Sequence, residues 1–499
     1  MADGAKENAI SLPSVPSYVI SKRSACKTHA GRRASSQRLN LMTDTTIDSY
    51  RHIPGPSRWT EWSRAATALL AVSLIVVPTN PFSDLSDPLM SGAWETGDLT
   101  NQFSYTLMSL LTLSMIPNSR YRQFLSGFTP LALAVFAWLG ASALMSQNPE
   151  LSLRRLAFTI LVCLMAAGWI LIPVSVRQLS VIFSVVAASV LVLCYAGLVL
   201  VPSHAIHQLT DLEPGLAGDW RGIFGHKNDA GAVMVLMTLV GLFITAAFSK
   251  RLGFLVSVCA VTFLIGTRAK TSLILLPLVL GVSYLARRSS TLGRLSFYCL
   301  TPLVLFNALA LLSIYSNTIG SILNSAISDA SFTGRTDVWQ FAIDNIRQRP
   351  VIGYGFMAFW RTGEVLGETD YTDLWANAAA HSHNGYLDIT LTTGFPGLLL
   401  CIAFLVIGPI ISYHRYSRNR SSRVTPEMTA LSTFLLHAWL FGIYFNCFES
   451  ALFDRGNNVW FFMCSAVFGL YYLSRFPPLN ELPPFEGNHA VRTARRTIA

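Results

Sequence analysis

Charge is scarce in this chain: Asp, Glu, Lys and Arg make up 13% of its 499 residues, against about 25% in soluble globular proteins. With 52% hydrophobic residues, the deficit excludes an ordinary soluble domain and points to a membrane protein. Paired cysteines are lacking as well. Cys163, Cys194, Cys259, Cys299, Cys401, Cys447 and Cys464 sit in apolar runs, and with Cys26 they form no C-x-x-C, so neither a disulfide nor a zinc framework is expected. No P-loop or dinucleotide fingerprint occurs. Nor does any nucleic-acid-binding motif, although the net charge is +10. No apolar core lies near the start, so the first stretch is not a signal peptide. Among the apolar runs, ionisable residues at mid-depth are nearly absent, His437 being the main exception. That speaks against a proton- or ion-coupled carrier.

The chain does have long apolar runs. Taking roughly 20 apolar residues per spanning helix, about twelve spans are expected. They lie near 65–80, 102–117, 124–145, 156–174, 179–201, 229–249, 252–267, 271–287, 295–315, 385–412, 428–448 and 457–474. The expected fold is therefore all-α, a multi-pass integral membrane protein. Residues 1–63 read as a basic, disordered cytoplasmic tail, 64–315 as spans one to nine, 316–384 as a large external loop with short helices, 385–475 as the last three spans, and 476–499 as a cytoplasmic tail. With both termini inside, the inside loops carry Arg120 and Arg122, Arg177, Lys250 and Arg251, Arg287, Arg288 and Arg294, and His414 to Arg423, while the first outside loop carries Asp84, Asp87, Glu95 and Asp98. This is the positive-inside bias. In the large loop, Thr336 to Arg347 has the spacing of an amphipathic helix.

Several cations break that bias by falling outside: Arg154 and Arg155, Arg221 and Lys227, Arg268 and Lys270, Arg335, Arg347, Arg349, Arg361 and Arg455. Two explanations compete. They solvate helix ends or pair with Asp337, Asp344 or Glu449, or some of them form a cationic cup for a phosphorylated ligand, a task suited to the guanidinium fork. Arg221, Arg268 or Lys270, and Arg335 are the candidates for the cup.

Three local clusters carry chemistry. Arg221-Gly222-Ile223-Phe224-Gly225-His226-Lys227-Asn228 brings cations to a glycine-rich turn, which is also a plain turn with a snorkelling cation. Gly334-Arg335-Thr336-Asp337-Val338-Trp339 is either an anion site or a capped amphipathic helix. His381-Ser382-His383-Asn384 stands at the mouth of a span, with Gly394-Phe395-Pro396-Gly397 beyond it. Histidine is the side chain best suited to take a proton near neutral pH. The structural and metal-binding alternatives stay open, although no Asp, Glu or Cys completes a metal set at a usual spacing.

These clusters resemble the O-antigen ligase and polymerase (Wzy/WaaL-like) superfamily and, more closely, the branch that polymerises succinoglycan-type exopolysaccharides. The segment Arg221 to Asn228, the G-R-x-x-x-W of Gly334 to Trp339 and the H-N-x9-G-x-x-G of His383 to Gly397 carry the resemblance. It implies a GT-C-like glycosyltransferase in the bacterial inner membrane, with His383 (or His381) as the base that activates the acceptor hydroxyl and Asn384 beside it. Arg221, Lys227, Arg268, Lys270 and Arg335 would hold the donor's pyrophosphate; the family often has Arg where this chain has Lys270.

The candidate site faces away from cytoplasmic nucleotide sugars, so the expected donor is a polyprenyl-pyrophosphate oligosaccharide, already activated and translocated. The expected activity is metal-independent, inverting transfer of repeat units onto a growing exopolysaccharide, with no cofactor and with no nucleic-acid partner. Membrane lipid, a chain-length regulator and a flippase are the expected partners. The alternatives are a ligase acting on lipid A-core, a flippase or exporter component, and a non-catalytic assembly protein.

Overall fold

The computed structural model describes residues 57–85, 99–211, 213–316, 318–321, 335–360, 381–419 and 425–476. By its contacts the chain divides into Met1–Arg58 and Trp59–Ala499. The first unit is almost wholly outside the described residues, and the helical body belongs to the second. Most of the basic tail expected at 1–63, the tail at 476–499, and Asp87, Glu95, Asp98, Arg361, Arg420 and Arg423 also lie outside the described residues.

Among the described residues the secondary structure is helical, with no strand beyond a single isolated bridge between Ile206 and Trp220. The helices are α1 (Arg58–Val76), α2 (Leu99–Met115), α3 (Asn118–Gly127), α4 (Pro130–Leu144), α5 (Pro149–Trp169), α6 (Val176–Leu200), α7 (Lys227–Ala247), α8 (Lys250–Thr267), α9 (Lys270–Arg287), α10 (Leu292–Tyr315), α11 (Arg335–Gln348), α12 (Gly385–Ile402), α13 (Gly408–Arg418), α14 (Pro426–Phe445) and α15 (Asn458–Arg475). A π-helical turn, Ala403–Ile407, joins α12 to α13.

The molecule is a multi-pass membrane protein. Eight described helices are long and apolar enough to cross a bilayer, or nine if α3 and α4, bent by 61°, count as one span. A helix or bent pair stands at each of the twelve expected positions, but not all qualify. Arg58, Glu61 and Arg64 make α1 polar, α2 has only 17 residues, and α15 ends on Asn458 and Arg475. The amphipathic stretch in the large loop forms α11, with Val338, Phe341, Ala342 and Ile346 buried.

Helix direction sorts the loops onto two faces. One carries Arg120, Arg177, Lys250, Arg251, Arg287, Arg288, Arg294, Arg415 and Arg418. The other gathers the N-termini of α5, α7, α9, α12 and α15 with the C-termini of α6, α8, α10 and α14. The core pillar is α14, 89% of whose span is buried, beside α7. α7 meets α8 where Gly241 faces Gly253: a Cβ on Gly253 would lie 2.5 Å from the Gly241 carbonyl oxygen. Small residues permit such close crossings between membrane helices.

The Gly394-Phe395-Pro396-Gly397 segment is explained by a break within α12. Gly394 has φ +70 and ψ 178, and a Cβ there would stand 2.0 Å from the Val351 carbonyl oxygen. Pro396 has no N–H for the Thr392 carbonyl. That carbonyl instead accepts from Gly355 N–H at 3.0 Å and Ser142 Oγ at 2.8 Å, and the Thr393 carbonyl accepts from the Trp138 indole at 2.8 Å. The kink is thus satisfied by α4 and by the segment after α11, which it pins beside the site.

Candidate active site

The three sequence clusters converge on one carboxylate, that of Glu449. Its Oε1 accepts from Arg335 Nη2 at 2.9 Å and from Asn228 Nδ2 at 3.2 Å; its Oε2 meets His383 Nδ1 at 2.8 Å. Glu449 sits in the loop between α14 and α15. Asn446 shapes that loop by accepting from the Ala451 and Leu452 N–H groups at 2.8 and 3.0 Å. Burial works to raise the Glu449 carboxyl, but Arg335 and then His383 outweigh it and hold the group well below the usual carboxylate range. The carboxylate is therefore charged, and the hydrogen bond assigns the His383 proton to Nδ1, leaving Nε2 as the lone-pair nitrogen.

The backbone around His383 is built for this placement. His383 is in the left-handed region at φ 54, which costs on the order of 1–3 kcal/mol for a non-glycine residue. Asn384 is the N-cap of α12, accepting from the Tyr386 and Leu387 N–H groups at 3.0 and 3.1 Å and donating to Asn307 Oδ1 at 3.2 Å. That cap fixes where the helix starts. Trp339, one helical turn after Arg335 in α11, donates its indole N–H to the Ser382 carbonyl at 2.8 Å. One face of α11 thus holds both the carboxylate and the histidine loop. His381 packs edge-on to His383 with ring centroids 4.3 Å apart, and its Nδ1 accepts from the His383 N–H at 3.2 Å.

The other expected residues divide by exposure. Arg221 is 1% exposed and donates to the Phe224 and Ser83 carbonyls at 3.1 and 2.8 Å. Lys227 is equally buried, and its Nζ is 2.8 Å from Asp219 Oδ2. The opposite oxygen of Asp219 takes Arg268 Nη1 at 3.3 Å, and the Arg268 side chain is 69% exposed. Lys270 is half-buried at the start of α9. The structure thus leaves Arg268 exposed and Lys270 half-buried, and draws Arg221, Lys227 and Arg335 into the protein. Beside them, His207 Nε2 accepts from the Lys227 N–H at 3.3 Å while Nδ1 faces Asp211 at 3.3 Å. Burial, with His226 and Arg221, pushes His207 down to about 4.

Glu449 and Asn228 are the residues the sequence reading did not select. Glu449 entered only as an ion-pair partner, although an acid at the outside end of a span was visible. Of the non-catalytic pairings considered, Arg335–Glu449 and Arg347–Asp344 (3.0 Å) both form.

His381, His383 and Glu449 each offer an atom within 4.8 Å of the others, which is the composition of a metal site. The donor set fits a cation poorly: Glu449 is already committed to Arg335, Asn228 and His383, and a metal would lie against the Arg335 guanidinium. A cavity of about 890 Å³ is lined by His381, Trp360, Asp388, Tyr105, Asn148 and Asp229 among others; His383, Glu449 and Arg335 are not in that lining, and His381 connects them to it. The cavity falls in the upper part of the usual range of roughly 300–1,000 Å³ for ligand sites, and its mix of aromatic rings and planar polar groups suits sugars.

Residues 255–402 match the family model described as O-Antigen ligase, a segment holding Arg268, Lys270, Arg335, His381, His383 and Asn384. The match and the helical architecture support membership of the O-antigen ligase and polymerase family of multi-pass membrane proteins. The chain is also similar to the Exopolysaccharide production protein ExoQ of Rhizobium meliloti (strain 1021), 27% identical over 198 residues, which cover 37% of this chain and 45% of that protein. The chain thus spans about half the length of the curated relative it matches.

Proposed function

We propose that the protein is a polysaccharide polymerase that transfers oligosaccharide units from a polyprenyl-pyrophosphate donor to a growing chain, in the manner of an exopolysaccharide-producing enzyme. The observation that carries this reading is the Arg335–Glu449–His383 chain, whose neighbour His381, packed against His383, lines a sugar-sized cavity. His383 Nε2 accepts the proton of the acceptor hydroxyl, and Glu449 stabilises the resulting imidazolium. The hydroxyl oxygen bonds to the anomeric carbon as the bond from that carbon to the pyrophosphate oxygen breaks, inverting the configuration. Arg268 and Lys270 receive the charge that develops on the leaving pyrophosphate. Arg221, Lys227 and Arg335 support them by holding the loops in place. The scheme uses no metal.

The reading sets the site on the outer face of the bacterial inner membrane, with both termini cytoplasmic, because the opposite face carries the arginine-rich loops. A flippase must then deliver the lipid-linked unit, and a chain-length regulator is a further expected partner.

The test is the size profile of surface polysaccharide and lipid-linked intermediates in a strain whose only copy carries His383→Ala. Single units stalled on the lipid support a polymerase. Long polymer left on the carrier means a ligase, and a native profile at native expression rejects His383 as the base.

A further inference from the structure

The wall of the cavity beside His381 is close to electrically balanced. Among the described residues it carries four carboxylates against three guanidiniums. Asp454 stands among the arginines, where Arg455 and Arg155 act on it, and it accepts from the Gly456 N–H at 3.1 Å. Asp388 is spent on the histidine side, accepting from the Trp360 indole at 2.8 Å and from the Ser382 N–H at 3.1 Å. Such a wall offers an anion little net attraction. It suits a ligand that is uncharged and rich in hydroxyl groups, which both donate and accept.

Asp229, in the first turn of α7, is a carboxylate left over. Its side chain lines the cavity and forms no hydrogen bond or ion pair with any described residue. Its neighbour Asn228 donates to Glu449 at 3.2 Å, and the charges of His226 and Glu449 act on Asp229. The start of α7 therefore joins the relay to the cavity. Donors are present as well. Asn148 and Asn457 cap α5 and α15 through their Oδ1 atoms, accepting from Leu151 at 3.2 Å and from Val459 at 2.9 Å. No described group takes up their Nδ2 protons. Two further amides on the lining, Asn101 and Asn458, have a buried Oδ1 with no partner among the described residues. An unpaired buried acceptor is unfavourable, and rotation about the soft last torsion of asparagine turns it toward the cavity. Tyr105 and Trp360 add aromatic surface for the apolar face of a sugar ring.

We propose that this cavity is the acceptor subsite, that it takes an uncharged saccharide, and that Asp229 holds one of the saccharide's hydroxyl groups as a hydrogen-bond acceptor. This deepens the transferase reading and rests on it. Arg268 and Lys270 are not part of the cavity lining, so a two-substrate reaction has two places. The donor's pyrophosphate lies at those cations. The saccharide whose hydroxyl reacts lies in the cavity and reaches His383 past His381, which packs against it.

The experiment measures binding to the purified full-length protein in nanodiscs. The probes are geranyl pyrophosphate and fragments of the host's own surface polysaccharide, parted by anion exchange into a neutral and an anionic fraction. The variants are Asp229→Asn and, in case that one does not fold, Gln102→Ala, a second lining residue on α2 away from the relay. The native protein should bind the neutral fraction. Asp229→Asn should bind it about tenfold more weakly and Gln102→Ala about threefold, while geranyl pyrophosphate binds both variants as it binds the native protein. Native affinity for the neutral fraction in the folded variants overturns the proposal. So does an anionic fraction that binds as tightly as the neutral one, the lack of any neutral fragment that binds, or equal weakening of saccharide and pyrophosphate. If His383→Ala leaves polymer formation intact while the variants still lose the neutral saccharide, the transferase reading fails and the subsite stands.

Discussion

The Glu449 carboxylate meets His383 Nδ1 at 2.8 Å, so the nitrogen aimed away from it, Nε2, is the one free to take a proton. Replacing Glu449 by Gln keeps the shape but removes the charge that holds this tautomer and supports the imidazolium. Transfer should fall by about 10²–10⁴-fold, with Glu449→Asp retaining part of it. Native polymer length from Glu449→Gln at native expression would reject the relay. The carboxyl is held well below its usual range. Its stabilising contribution is therefore fully present above about pH 4.3 and is lost only as the pH falls through the depressed native value.

Arg268 and Arg221 should respond in opposite ways. Arg268→Gln touches an exposed side chain and should leave the melting temperature nearly unchanged while slowing transfer about tenfold. Arg221→Ala strips the Phe224 and Ser83 carbonyls of their buried donor and should cost about 2–4 kcal/mol of stability. Thermal melts and transfer rates on both variants check this; a stable but inactive Arg221→Ala would make Arg221 a ligand-binding residue instead.

Gly394→Ala sets a methyl group 2.0 Å from the Val351 carbonyl at a left-handed position. The expected loss is about 3 kcal/mol or more, seen as low yield or a much lower melting temperature. A mutant of native stability would mean that the break in α12 relaxes freely.

His207 supplies an acid-sensitive contribution. Its native value, pushed down to about 4 mainly by burial, lies below the ordinary value near 6.5. Between these values the unfolded chain binds a proton that the native state does not, so stability falls as pH drops from about 6.5 to 4, by on the order of 3 kcal/mol. Melting curves at pH 7 and 4.5 should show this loss in the native protein and a smaller one in His207→Gln. Equal losses would place the sensitivity elsewhere.

The span positions and α11 were legible because apolar periodicity survives in one dimension. The roles within the clusters were less so. Asn384 reads as chemistry in sequence, and its side chain also caps α12, while Gly394 makes the break within that helix. Arg221 and Lys227 look like surface cations because their partners, Ser83, Phe224 and Asp219, are set by loop folding. Glu449 was hidden by distance: it lies in a different loop from His383, and only the fold joins them, through the loop after α14, whose Asn446 and Glu449 carbonyls accept from the Gly385 N–H and whose Phe448 carbonyl and Glu449 carboxylate accept from Arg335.

All five left-handed non-glycine residues described, Phe82, Arg268, Met357, His383 and Phe453, stand on the loops of this one face, and three clusters far apart in sequence share the single Glu449 carboxylate. Energetically, the motifs are then members of one unit. Removing Asn228, Arg335 or His383 weakens the same anchor, so combined substitutions should cost less than the sum of the single ones, and a natural change in one motif is felt first as a shift in the energetic weight of the other two.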